Sequence, residues 1–300
     1  MKLNIGSRKS TLAMWQSNCI ADLLREAHPD LEVEVITMDT LGDRRQDVPM
    51  PAIGAKGLFT QELEDALLAD QIDLAVHSLK DLPSTLPEGL CYAGSPKRGV
   101  ATDAFISTRW KSFEELPQGA TIATGSQRRR AQLLHRRPDL QLTDLRGNIG
   151  TRLEKLEKHG YDGIIMATVA LHRLKMTDRI TTELAPEQFI PAVSQGAMGV
   201  ETRIGRDDVT DLLKPVFDDL TVTAVTAERA FMRLLDGGCS VSLGAYCVPV
   251  GKDWNFHGWV SSTDGTQVLT EMQHGTDPHQ MAIELANDFI NRGAQEILHS

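Results

Sequence analysis

Residues Ile72–Pro83 read IDLAVHSLKDLP. Asp73, Leu74, Ala75 and Val76 form the end of a short apolar run. Such a run suits a strand buried on both faces of a mostly parallel sheet. The polar residues His77, Ser78, Lys80 and Asp81 follow at once, and Pro83 ends any regular element. In open α/β sheets, ligands sit outside the carboxyl ends of the strands. Asp81, with Lys80 directly before it, is thereby delivered to the edge of a candidate site. A charged surface turn has the same composition, so the neighbouring stretches must decide between the two.

The same junction recurs along the chain. Lys2–Ile5 reads as a strand, and GSRKS at 6–10 leads into Thr11–Ala27, which has apolar residues at helical spacing. Ser10 is the expected N-cap, and Arg8 stands beside free helix N–H groups. Thr121–Ala123 ends in TGSQRRR, followed by a helix expected over Ala131–Arg136. Helix starts favour acidic side chains, so Arg128, Arg129 and Arg130 are misplaced there unless an anion compensates them. Leu140–Leu145 ends in RGNIGTR, then a helix over Leu153–His159; Gly163–Thr168 leads to a helix bearing Arg173. Strands alternating with helices give an α/β class with a largely parallel sheet. Basic residues after successive strand ends point to one polyanionic small ligand held by arginine forks.

The whole-chain numbers narrow the field. The 300 residues carry 31 basic and 41 acidic side chains, a formal net charge of −10. That argues against nucleic acid or a membrane surface as partner. No run reaches membrane-spanning length and the N-terminus lacks a signal-peptide core, so the cytoplasm is expected. The four cysteines show no zinc spacing, and no metal is expected. No phosphate-loop or dinucleotide fingerprint is present. Residues 41–58 form a long loop rich in Gly and Pro, and Ile190–Glu201 reads as a crossing between domains. Val222–Leu235 is an amphipathic helix ending in DGGCS, which puts Cys239 on a loop. Strands at Phe256–Ser261 and Gln267–Gln273 and one long helix over Ala282–Leu298 complete a small α/β domain.

Seven blocks together resemble the porphobilinogen deaminase (hydroxymethylbilane synthase) family. They are IGSRKSTLAMWQ, AIGAKGLFTQELEDALL, DLAVHSLKDLP, GSQRRRAQL, LRGNIGTRLEKL, PAVSQGAMGVE and ERAFMRLLDGGCSV, in the family's order from Ile5 to Val241. The resemblance implies three domains: 1–97 with 198–217, 98–197, and 218–300. The first two are expected to resemble type II periplasmic binding proteins with a cleft between them. It implies a transferase that joins four porphobilinogen molecules head to tail with loss of ammonia. The product, hydroxymethylbilane, is released by hydrolysis. It also implies a dipyrromethane cofactor joined by a thioether to Cys239.

Carried over by motif position, Asp81 is the catalytic carboxylate. Lys80, Asp81, Ser126, Arg128, Arg129 and Arg146 hold the cofactor, with Cys239 as its attachment point. Arg8, Ser10, Phe59, Arg146, Arg152 and Arg173 bind substrate. The chemistry suits these residue types, since each pyrrole carries an acetate and a propionate, and loss of ammonia leaves a cation that a carboxylate can stabilise. The partner implied is porphobilinogen, with no nucleic acid or membrane, and the chain is expected to be a monomer. Three positions depart from the family's pattern: Gly125 for a serine, Ala55 for a glycine and Ser194 for a glycine or alanine. The competing readings are a non-catalytic binding protein for a small polyanion and a nucleic-acid binder using the RRR run. Asp81 and Cys239 are superfluous to the former, and the net charge opposes the latter.

Overall fold

The computed structural model describes residues 2–40, 60–236 and 241–300. The chain divides into two compact units, Met1–Gly99 with Gly196–Val222, and Val100–Gln195 with Thr223–Ser300. In the first unit, β1 (Lys2–Arg8), β2 (Glu32–Met38), β3 (Leu74–Ser78), β4 (Leu90–Gly94) and a late strand β10 (Met198–Arg203) form one sheet. Its order is β2-β1-β3-β10-β4. β1 runs parallel to β2 and β3, while β10 is antiparallel to both its neighbours.

β3 is buried on both faces, as its apolar run dictates. Leu74 and Val76 join a core with Ile20 and Leu24 of α1 (Thr11–Ala27). Ala75, on the opposite face, packs with Leu63 and Leu67 of α2 (Gln61–Leu68). The alternation follows from the two-residue period of a strand. Ser10 caps α1, its hydroxyl accepting from the Ala13 amide at 3.4 Å.

In the second unit, β5 (Asp103–Ile106), β6 (Thr121–Ala123), β7 (Gln141–Thr143), β8 (Gly163–Ala167) and β9 (Thr182–Leu184) form a sheet in the order β7-β6-β8-β5-β9. β6 is parallel to β7 and β8, and β5 is antiparallel to β8 and β9. The two sheets share one plan. In each, the antiparallel member is the first strand formed after the chain passes from one unit to the other. The sheets are therefore mixed rather than purely parallel, because those strands enter without the crossover helix that enforces parallel pairing. β10 was expected as part of a crossing, since its small residues have low strand propensity. Pairing on both sides overrides that preference.

The same unit holds a third sheet, the antiparallel meander β11 (Leu243–Val250), β12 (Asp253–Ser261) and β13 (Val268–Gly275). Its core centres on Phe231, Phe256 and Phe289, with ring pairs at 5.6 and 5.8 Å in edge-on geometry. The long C-terminal helix expected from the sequence is two helices, Pro278–Asn291 and Ala294–Leu298. Gly293 breaks it by taking φ 85, a left-handed conformation that glycine adopts without a Cβ clash. Among the described residues no helix is long and apolar enough to cross a membrane.

Ser194 also takes a left-handed conformation, φ 61, and is fully buried. Its amide donates to Glu228 Oε2 at 2.6 Å, but its hydroxyl has no partner among the described residues. Glycine would relieve about 1–2 kcal/mol of backbone strain and remove an orphaned hydroxyl. Against this stands about 0.5–1 kcal/mol of extra chain entropy in the unfolded state. Ser194→Gly is thus expected to raise the urea midpoint at unchanged slope; a lowered midpoint would contradict this account of the segment.

Candidate functional site

In the first unit the site begins at the carboxyl ends of β1 and β3. These strands pair in parallel, Ile5 opposite Leu74 and Gly6 opposite Ala75, so Arg8 and Ser78 leave the same sheet edge. Leu79–Asp81 forms one 3-10 turn immediately after β3. Leu79 is buried, Lys80 half-buried and Asp81 exposed. The Asp81 carboxylate has no hydrogen-bond or ion-pair partner among the described residues. The structure therefore brings Arg8, Ser10, Lys80 and Asp81 to one edge of the sheet, with Ser10 already engaged as a helix cap.

In the second unit β6 lies between β7 and β8, all parallel, so three strand ends again share an edge. Ser126 caps α3 (Gln127–Arg136), accepting from the Arg129 amide at 3.5 Å. The helix starts earlier than expected, so the three arginines form its first turn rather than a lead-in. The anion that their misfit demands is supplied in part by the chain itself. Arg128 Nη2 donates to Asp103 Oδ2 at 2.7 Å, and Arg129 donates to Asp103 Oδ1 through Nε at 3.0 Å and Nη2 at 2.6 Å. Further donations run from Arg128 Nη1 to the Ile190 carbonyl at 2.6 Å and from Arg129 Nη1 to the Ile165 carbonyl at 3.2 Å. Arg130 faces Asp144 at 3.6 Å.

Asp103 is fully buried, and both guanidiniums are nearly so. Burial pushes the Asp103 carboxyl up. The charges and hydrogen bonds of Arg128 and Arg129 outweigh it and hold the group well below the ordinary carboxylate range. Two guanidiniums against one carboxylate leave an excess positive charge in the interior. The Arg128 Nε is buried with no acceptor among the described residues. Both features favour an added anion.

Arg146 follows β7, half-buried, and its guanidinium has no partner among the described residues. Its carbonyl accepts from Lys155 Nζ at 2.9 Å. Arg152 lies on α4 (Ile149–His159) and donates from Nε to the Gly147 carbonyl at 2.8 Å. Arg173 ends the short helix α5 (Thr168–Arg173) after β8 and is 8% exposed. At Gly125 a Cβ would come within 2.9 Å of the Leu145 carbonyl oxygen, so the departure from serine goes with close approach of the two anion-facing loops. Phe59, Ala55 and Cys239 lie outside the described residues. Cys247, the other cysteine near the end of the chain, is buried in β11, its amide donating to Glu228 Oε1 at 2.8 Å. Asp103 and Gln195 escaped the sequence reading. Gln195 Nε2 donates to Asp103 Oδ1 at 3.0 Å and to the Ala101 carbonyl at 2.7 Å. A lone aspartate opening an apolar strand was the available signal for the first. No group of three metal-ligating side chains occurs among the described residues.

Comparison with known proteins bears on both halves. Residues 3–211 match the family described as porphobilinogen deaminase, dipyromethane cofactor binding domain, and residues 222–291 match its C-terminal domain. The porphobilinogen deaminase of Carboxydothermus hydrogenoformans is 45% identical over 296 residues, covering 98% of this chain and 95% of that protein. That of Syntrophotalea carbinolica is 44% identical over 298 residues, covering 99% and 95%. Among solved structures, the methionine binding protein MetQ aligns with TM-score 0.46 and 15% identity over 76% of this chain and 94% of its own.

Proposed function

Because the chain belongs to the porphobilinogen deaminase family, we propose that Asp81 is its catalytic carboxylate and Cys239 the attachment point of its dipyrromethane. The reaction is the joining of four porphobilinogen molecules head to tail with loss of ammonia, ended by hydrolysis to hydroxymethylbilane. The observation that carries the assignment is the Asp81 carboxylate, exposed and unpartnered among the described residues, one turn beyond a strand buried from Leu74 to His77. A carboxylate so held accepts from pyrrole N–H groups, stabilises the cation that develops on the substrate as ammonia leaves, and exchanges a proton with it.

The residues present fit a polyanionic cofactor. The excess charge of Arg128 and Arg129 over Asp103, the unpartnered Arg128 Nε and the unpartnered Arg146 guanidinium all call for carboxylates. When bound, the dipyrromethane supplies the primer to which substrate units are joined. Lys80, Asp81, Ser126, Arg128, Arg129 and Arg146 would hold it, while Arg8, Ser10, Phe59, Arg146, Arg152 and Arg173 bind the substrate, the arginines taking its acetate and propionate groups. The chain works as a cytoplasmic monomer. It is organised as three domains, 1–97 with 198–217, 98–197 and 218–300. A protein that only binds a polyanion has no use for an exposed carboxylate without a partner among the described residues.

Intact mass tests the attachment. The purified protein is expected to carry a discrete covalent excess. Cys239→Ser should lose that excess together with ammonia release from porphobilinogen, and should melt lower, because a bound ligand stabilises only the native state. Cys247→Ser should keep the excess. Retention by Cys239→Ser would place the thioether elsewhere.

A further inference from the structure

Beneath Asp81 lies a buried polar group that the reaction described above does not use. His77 Nε2 and Glu201 Oε2 are 2.9 Å apart, with 5% and 0% exposure. His77 is on β3 and Glu201 on β10. In register His77 faces Gly199, and Glu201 faces Ala75, so the pair is a diagonal one. Diagonal positions on neighbouring strands are bridged only by long side chains, and Gly199, opposite His77, has no side chain, the space above it being taken by Leu79. The contact thus exists in one register of β3 on β10 and in no other.

The pair is not there for stability. Among the described residues Glu201 Oε1 is buried without a partner, and so is Oε1 of the neighbouring Glu64 on α2. Burial pushes the Glu64 carboxyl up, and the Glu201 charge adds to this. Apolar side chains of similar volume would avoid these costs. What the pair adds is direction at the last turn before Asp81. The adjacent Ser78 is held from the α1 side of the sheet, its hydroxyl accepting from Gln16 Nε2 at 2.9 Å. Leu79 follows, its amide donating to the Ala197 carbonyl at 3.1 Å, and the Leu82 amide closes the turn on the Leu79 carbonyl at 3.2 Å. Residues 77, 78, 79 and 82 are each fixed, and Lys80 and Asp81 project from them.

We infer that the His77–Glu201 pair, together with Gln16, is the positioning device that sets the Asp81 carboxylate at the end of β3. The inference rests on the assignment of Asp81 above. A carboxylate displaced by an ångström loses its alignment with the reacting centre while the arginines go on binding substrate. The expected signature is therefore a loss in kcat with KM nearly unchanged.

The test uses the cofactor-loaded protein. Glu201→Leu should fold and keep its covalent mass excess. Its kcat for ammonia release should fall by about 100-fold, the scale of an ångström misplacement, with little change in KM. The Leu79 amide should exchange its hydrogen faster than in the parent. Glu201→Gln retains an acceptor for His77 and should recover most of the lost kcat. If Glu201→Leu fails to fold, Gln16→Leu is expected to give the same split between kcat and KM from the other face of the sheet. Parental kcat and Leu79 exchange in the folded leucine variant would overturn the inference, as would equal damage by Gln and Leu at 201. If instead the parent protein, carrying its covalent excess, releases no ammonia from porphobilinogen, the assignment of Asp81 falls and not the positioning geometry, which the Leu79 exchange reads independently.

Discussion

Asp81→Asn is expected to lower ammonia release from porphobilinogen by about 10³-fold, the combined scale of a lost proton-transfer group and a lost charge stabiliser. The fold should be indifferent. Asp81 is exposed and has no partner among the described residues, so its replacement removes no internal hydrogen bond or ion pair. Surface changes of that kind stay within about 0.5 kcal/mol. The same variant should keep its covalent mass excess if the cofactor is already attached. Steady-state turnover, intact mass and a melting curve on one preparation decide the point. Parental turnover in a fully folded Asn variant would remove Asp81 from the chemistry.

Asp103→Ala is expected to give the largest loss of stability, about 3–5 kcal/mol, because it strands two buried guanidiniums without their shared carboxylate. Arg128 and Arg129 make three side-chain hydrogen bonds to Asp103 between them, in a site closed to water. The pH dependence has a definite sign. The folded-state pKa of Asp103 is depressed, so its contribution is complete above the unfolded carboxylate value of about 3.9 and is lost as pH falls through the folded value. The gap in unfolding free energy between parent and Asp103→Ala should therefore be constant from pH 5 to 8 and shrink below about pH 4. Denaturant titrations at a series of pH values would show it. A gap under about 1 kcal/mol, the size of an exposed pair, would mean the network is solvated.

Much of the chain was legible in one dimension. The periodic elements, such as α1 over Thr11–Ala27 and β2 over Glu32–Met38, stand where their apolar spacing puts them. So does the sequence of strand ends bearing polar residues, because a buried strand must surface at a loop and its next residues become the rim. The misfit of three arginines at a helix start was also visible, and it called for an anion. These are local properties, set by neighbours in the chain.

Other features depend on residues far apart in the chain and could not be read locally. Nothing near the RRR run says that Asp103 supplies part of its counter-charge, since the two are separated by 25 residues and meet only through the β5–β8 pairing and the start of α3. β10 looks like a linker until both of its edges are paired, and the helix break at Gly293 required a φ that composition only permits. The His77–Glu201 pair spans 124 residues and exists because one register brings them diagonal. The amino-acid sequence alone determined the class of fold and the family, since those rest on residue type and short spacing, and it named the side chains proposed as reactive. The tertiary structure alone decided which charges are already neutralised inside the protein and which remain for a ligand, because desolvation and pairing depend on what is packed around a group and not on what adjoins it in the chain.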